Sequence, residues 1–303
     1  MKIENPNPVF EGRALGLINE TLALFWAVRN GHTSAAVLAG LTNKHVPARL
    51  VKEKLLKRTA IENPQSPAQF ALTITKKGLA RAHELQARII RDLNLREIVE
   101  LQNFGTILLD KSAPKLILCK IRLWQFAHDI KFQMVLAAFI RHNRLPELMP
   151  KETYPTEMRT SLELDRIGKR TGAENIADCT LSARIPGEFG KTRVFIEYEN
   201  SIKRKDEYER RVYWYNTRIH GGEGTQSLVL MANTPAIVTK LRAEFNREDI
   251  TIYKRVSGRN VRVPGAPTYK LIPWDEDLIR LILNSEDAVL KDLKVTPTRT
   301  EPS

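Results

Sequence analysis

The apolar periodicity between Gly12 and Leu79 is interrupted at Gly31, Gly40 and Pro47, and that punctuation confines the stretch to short helices. Ile18, Leu22, Phe25 and Trp26 fall at i, i+4, i+7 and i+8, one face of a helix that Asn30-Gly31 ends. Thr33 or Ser34 can cap a second helix through Val37 and Leu38, stopped by Gly40. Thr42 or Asn43 can cap a third, with Ala48, Val51 and Leu55 as its apolar stripe. Pro47 must lie in the first turn of that helix, where its missing N–H does least harm. Thr59 to Ile61 and Phe70 to Ile74 alternate on either side of a Pro- and Ser-rich turn, which predicts a two-stranded ribbon.

Three short helices followed by a ribbon resemble a winged helix-turn-helix. The ending Leu72-Thr-Ile-Thr-Lys-Lys-Gly78 is similar to the L-T-x-x-G close of many winged-helix DNA-binding domains, and the resemblance implies such a domain over 12–78. Six basic residues (Lys44, Arg49, Lys52, Lys54, Lys57, Arg58) face one acid, Glu53, in the segment that a helix-turn-helix lays into the major groove. Long cations there grip phosphates, while Asn43 and Arg49 have the geometry to read base edges. The expected DNA-binding set is therefore Asn43, Lys44, Arg49, Lys52, Lys57 and Arg58. The whole chain has the same sign: a net charge of +13 makes a polyanion the first partner to consider.

Leu79, Ala82, Leu85, Ile89 and Leu93 carry one apolar face, and Leu123, Ala127, Ile130, Met134 and Ala138 another between Lys120 and His142. These predict a helical connector over 79–150. The prolines 146, 150 and 155 mark its end. Beyond them the patterns read as helix or strand (162–170), strand (176–183), turn (186–190), strand (192–199), helix (201–217), strand (227–232), helix (235–246) and strand (250–254). That is an α/β order over 151–295, followed by a polar tail, 296–303. Cys119 and Cys179 are too few for a disulfide framework or a four-ligand zinc site. No apolar run reaches the ~18 residues of a membrane span, and Met1 to Pro6 has no signal-peptide pattern. The expectation is a cytoplasmic protein with reduced thiols and no membrane partner.

The chemistry concentrates in Ala177-Asp178 and Arg193 to Lys203. Residues two apart on a strand share a face, so Glu197 and Glu199 project together, with Val194, Ile196 and Tyr198 on the other side. A hairpin with 176–183 brings Asp178 to the same end. Three converging carboxylates repel unless a cation neutralises them. Hard oxygen ligands suit Mg²⁺ or Mn²⁺, which can activate water against a phosphodiester. The alternative reading is an exposed strand face salt-bridged to Lys203 or Arg204. The six histidines are scattered, and His128 in an apolar helix reads as structural. Gly221-Gly-Glu-Gly224 lacks the Gly-Lys-Ser/Thr of a P-loop. Tyr213 and Tyr215 read as packing residues of an amphipathic helix.

The acids resemble a PD-(D/E)xK nuclease core, with Ala177-Asp178 in place of Pro-Asp, Glu199 where lysine is usual, and Lys203 able to return the missing charge. Together with the winged helix, the chain resembles the replication-relaxation family, which includes the MobC-type relaxases of mobilisable plasmids. The residues that carry this resemblance are Glu163, Ala177-Asp178-Cys179, Glu197-Tyr-Glu199, Ser201-Ile-Lys203 and Tyr213-Trp-Tyr215. It implies an α+β protein: a winged helix, a helical connector and a nuclease-like α/β domain. It also implies catalytic residues Asp178, Glu197, Glu199, Lys203 and Glu163, with Asp178, Glu197 and Glu199 holding the metal. The implied partners are double-stranded DNA of a plasmid origin and other mobilisation or relaxosome proteins. The first functional reading is a metal-dependent DNA-nicking relaxase of plasmid or mobile-element transfer. The second is a non-catalytic regulator of replication, transfer or transcription that keeps only the nuclease scaffold.

Overall fold

Gly31 adopts φ 72°, a left-handed position suited to glycine, and it ends α1 (Arg13–Asn30) at the expected place. In this computed structural model, the described residues are 13–61, 68–92, 123–141, 148–149, 154–161, 164, 177–184, 191–221, 226–232, 234–247, 251–256, 259–264 and 269–273. They form a mixed α+β protein of two units, one reaching Asn143 and one spanning Arg144–Glu276. The change of unit falls beside the proline cluster, so the expected connector helices belong to the first unit.

After α1, Thr33 exchanges two backbone hydrogen bonds with Leu72 (2.9 and 2.8 Å), a one-residue strand. Ser34 then caps α2 (Ala35–Leu41), its Oγ accepting from Val37 N at 3.2 Å. Gly40 does not stop this helix. It is buried inside it, and the end comes at Thr42, whose N–H and hydroxyl both donate to Leu38 O. Asn43 Oδ1 accepts from His45 N (3.1 Å) at the start of α3 (His45–Lys52), and Pro47 sits in its first turn. The buried face of α3 is Val46, Pro47 and Leu50, not the expected Ala48–Val51–Leu55 stripe. The helix stops at Lys52, so Leu55 is reached through a turn in which Lys54 takes φ 61°. Ala48 consequently faces outward.

Strands β1 (Leu56–Ala60) and β2 (Phe70–Ile74) pair antiparallel from Leu56↔Ile74 to Ala60↔Phe70, so the ribbon begins earlier than the sequence pattern indicates. The T-x-x-G signature has a physical reason. Thr75 Oγ1 accepts from Gly78 N (3.0 Å) at the start of α4 (Lys76–Asp92) and lies 2.8 Å from Lys54 O. A Cβ on Gly78 would stand 2.1 Å from Leu55 O, so only glycine lets α4 begin against the α3–β1 turn. In α5 (Leu123–Arg141), every residue from Phe132 to Ile140 is buried, including Gln133. Gln133 Oε1 accepts from Trp26 Nε1 and its Nε2 donates to His32 O, both at 3.0 Å. This helix is therefore core, packed against α2, rather than a connector.

The second unit is built on a five-stranded sheet, ordered β3 (Tyr154–Thr160), β4 (Cys179–Arg184), β5 (Lys191–Glu199), β6 (Gln226–Ala232) and β9 (Tyr269–Pro273). The first three strands run antiparallel, and β6 and β9 are parallel to β5. Helix α6 (Lys205–Gly221) connects β5 to β6. Helix α7 (Pro235–Phe245) follows β6, capped by Thr234, whose Oγ1 accepts from Ile237 N. Strands β7 (Thr251–Val256) and β8 (Arg259–Pro264) form a separate hairpin. Both faces of the central strands are buried, as expected of parallel strands rich in Val, Leu and Ile. The core of one face joins Phe195, Leu228 and Leu230 to Tyr208, Val212 and Tyr215 of α6 and to Leu241 and Phe245 of α7. Strands β3, β8 and β9 are not read from the sequence. Pro155 disguises β3, and the sheet tolerates it because β3 is an edge strand whose register shifts beside that proline.

Gly78→Ala should cost about 1–3 kcal/mol through the forced retreat of α4 from Leu55. Urea denaturation of the full chain measures it, and an unchanged midpoint would mean that α4 does not start against that carbonyl.

Candidate functional site

In the first unit the outward side of α3 and of β1 is basic. Lys44, Arg49 and Lys52 are exposed around α3, as are Lys57 and Arg58 on β1. The Arg58 guanidinium lies 3.4 Å from the centroid of the Phe70 ring, a cation–π stack across the ribbon. Two residues expected to read bases are engaged inside the protein. Asn43 Oδ1 takes the His45 amide, and Arg49 Nη2 pairs with Glu20 Oε2 at 3.2 Å. Glu20 is buried in α1 and receives Arg81 Nε on its other oxygen at 2.8 Å, so one carboxylate ties α1, α3 and α4 together. His128 is structural, as read from the sequence. With His32 it flanks Asp129, at 3.3 Å and 3.1 Å. Burial alone would raise the Asp129 carboxyl, but the hydrogen bonds from both histidines hold it below its ordinary value.

In the second unit Glu197 and Glu199 do project together, and both are 2 % exposed. They face α6, not solvent, which removes the exposed-strand alternative. Arg211 Nη1 reaches Glu197 Oε2 at 3.2 Å and also pairs with Glu199 Oε1. Tyr215 donates its hydroxyl to Glu197 Oε1 (2.6 Å), and Lys203 Nζ lies 3.3 Å from Glu199 Oε2. Asp178, just before β4, accepts from Tyr198 N at 2.8 Å through Oδ2. Asp178, Glu197, Glu199 and Lys203 are thus gathered as the sequence predicts. Glu163 lies outside the described residues. Tyr215 is fully buried in this cluster, whereas Tyr213 is 61 % exposed and is not a packing residue of the core.

Sequence reasoning missed Arg211, the centre of the cluster. The signal was present: Tyr208, Arg211, Val212 and Tyr215 fall at i, i+3, i+4 and i+7, a helical apolar stripe with one arginine in it. A charge in such a stripe demands a buried partner.

Burial pushes the Glu197 carboxyl up to about 8, against the pull of Arg211. The Asp178 carboxylate beside Glu197 adds to that upward push. Burial likewise raises Glu199. Arg211 is held above its ordinary value despite its burial, by the charges of Glu197 and Glu199. Tyr215 is raised well above 10 by burial and by Glu197, so it stays a neutral donor. Asp178, Glu197 and Glu199 thus share the positive charges of Arg211 and Lys203.

Mg²⁺ or Mn²⁺ needs free carboxylate oxygens with room for water around the ion. Here three of the four glutamate oxygens are hydrogen-bonded, to Tyr215 and Arg211 on Glu197 and to Arg211 on Glu199, and the fourth, Glu199 Oε2, has the Lys203 ammonium 3.3 Å away as its ion-pair partner. Among the described residues, no group of three or more His, Cys, Asp or Glu is disposed to hold a metal ion. The residues as arranged do not fit the cation, because a guanidinium supplies its charge. No family model, curated protein or solved structure matches this chain. Among the described residues, no helix is long and apolar enough to cross a membrane.

The Glu197 proton has a definite pH signature. Its folded value is raised, so the stability it contributes is complete below about 4.5 and is lost as pH rises through about 8. Melting temperature should therefore fall more steeply between about pH 5 and 8 in the wild type than in Glu197→Gln, which keeps an uncharged group. Parallel curves would refute the raised Glu197 carboxyl. Arg211→Ala should cost about 3–5 kcal/mol, since it leaves two buried acids without their counter-ion. Denaturant titration of that variant is the measurement.

Proposed function

We propose that this protein is a cytoplasmic winged-helix DNA-binding protein of a plasmid or mobile element that regulates replication, transfer or transcription. In this reading its second unit keeps the sheet of a PD-(D/E)xK nuclease without its cation site. One observation carries the DNA reading: Lys44, Lys52, Lys57 and Arg58 are exposed together on α3 and β1. They sit within an order of helix, bridge strand, helix, helix and ribbon. In a helix-turn-helix the helix after the turn enters the major groove, and cations around it release counterions from the backbone. The nuclease ancestry is supported by a three-stranded antiparallel meander, then a helix, then a strand parallel to the third. The plasmid setting rests on the replication-relaxation resemblance, carried by Asp178, Glu197, Glu199, Lys203 and the Tyr213–Tyr215 helix. Plasmid-origin duplex and other mobilisation proteins are the partners it implies.

A second reading, metal-dependent nicking, has one observation in its favour: Glu197 and Glu199 share a face with Lys203 beside them. Mg²⁺ or Mn²⁺ would be held by Asp178, Glu197 and Glu199, and Arg211 would first have to leave them. The two readings separate on supercoiled plasmid carrying the cognate region. The regulator leaves it closed with or without Mg²⁺ or Mn²⁺. Open circles that require the metal and vanish in Glu199→Gln would establish the relaxase instead.

Binding itself is tested by salt. Lys52→Ala and Lys57→Ala should each flatten the slope of log affinity against log salt by about 0.9, one phosphate contact apiece. Fluorescence anisotropy with a labelled duplex reads the slope, and wild-type values in both variants would take α3 and β1 out of the interface.

A further inference from the structure

We propose that a cleft between α3 and the β1–β2 ribbon holds one nucleotide unit, with its base on an apolar floor and its phosphate at a cationic rim. The inference deepens the DNA-binding reading and rests on it. The cleft has a volume of about 690 Å³, within the roughly 300–1,000 Å³ of small-ligand sites. Its floor includes Ala48, Val51 and the Arg58 guanidinium over the Phe70 ring, and its rim carries Lys44 and Lys52. Among the described residues no acid lines it.

The shape follows from the way α3 ends. Val46, Pro47 and Leu50 form the buried face, small Ala48 is left outward, and the chain turns back through Lys54 in a left-handed position. Opposite it, Arg58 is held flat at 3.4 Å above the Phe70 ring. A guanidinium stacked in this way presents a planar cationic surface, and bases stack on arginine planes as well as on aromatic rings. An intact duplex keeps its bases stacked inside, so it can offer phosphates to the rim but no apolar plane to the floor. An unpaired nucleotide offers both. Apart from the cations, the lining offers side-chain hydrogen bonds only from His45 and from Ser34, whose hydroxyl already caps Val37, so recognition depends mainly on stacking and charge.

The nucleotide can belong to a DNA strand or be free in solution, and one set of titrations tells these apart. The full chain is titrated by anisotropy into a blunt duplex, the same duplex with a one-nucleotide bulge, and a third with an abasic bulge. Deoxyadenosine monophosphate is titrated separately by calorimetry. The base-containing bulge should bind about tenfold tighter than the blunt duplex, within what stacking one base is worth. The abasic bulge should fall back to the blunt value. Arg58→Lys keeps the charge and removes the plane, so it should bring the bulge-to-blunt ratio close to one. Ala48→Phe, which fills the floor, should do the same, and thermal melts of both variants verify folding.

Saturable binding of the monophosphate without a bulge preference keeps the site and assigns it to a free nucleotide. A blunt duplex that binds, with no bulge preference and no monophosphate binding, overturns this inference and leaves the DNA reading standing. An abasic bulge as tight as the base-containing one, again without monophosphate binding, overturns it in favour of DNA bending. No binding to any DNA at low salt defeats the DNA reading itself.

Discussion

The second unit depends on Arg211. A guanidinium four-fifths removed from water, between two glutamates each 2 % exposed, is the interaction that its neighbours have to satisfy. Desolvating such charges costs several kcal/mol per ion, and mutual attraction recovers it only with good geometry and further hydrogen bonds. Those further contacts come from Tyr215 and Lys203. Tyr215 and Arg211 lie one turn apart on α6, so a single helix face delivers both. The cluster consequently sets where α6 lies along β5, and a shift by one residue would leave charges buried and unpaired.

The first unit uses the same device at two further places. Glu20 is buried between Arg49 and Arg81, and Asp129 between His32 and His128. Glu20 is met by arginines 29 and 61 residues away, and Asp129 by His32 from a distant element as well as by its neighbour His128, so these pairings report tertiary structure that local pattern does not contain. Arg49 illustrates the consequence. In sequence it is one of six cations on a candidate DNA helix; in the fold it is the link between α3 and α1.

Much of the architecture was legible because it is local. Asn30-Gly31, Ser34, Pro47 and the Thr75–Gly78 signature each act within a few residues, and each does in the structure what its chemistry requires. The alternation in β5 correctly put Glu197 and Glu199 on one face. Other features were hidden for physical reasons. Gly40 resembles a helix stop but lies buried inside α2. Pro155 resembles a boundary but occupies a bulged edge strand. The direction of the two glutamates was the largest gap. Alternation tells that they share a face, but only the helix packed on that face decides whether water, metal or arginine meets them.

Under the proposed DNA-binding reading, these internal pairings also decide what kind of recognition would remain. Arg49 is committed to Glu20 and the Asn43 carbonyl to the backbone of α3, so the two side chains best shaped for base edges carry structural duties. The cations left around α3 and β1 are mainly lysines, compact point charges on flexible stems that suit phosphates rather than base patterns. On that reading, affinity at this surface would be dominated by counterion release and would fall steeply with salt. Discrimination has to come from features that lysine does not read, namely groove shape, deformability or an exposed base. Arg58 is the exception on this face: its stack on Phe70 fixes a plane as well as a charge, and a plane is what an unstacked base requires.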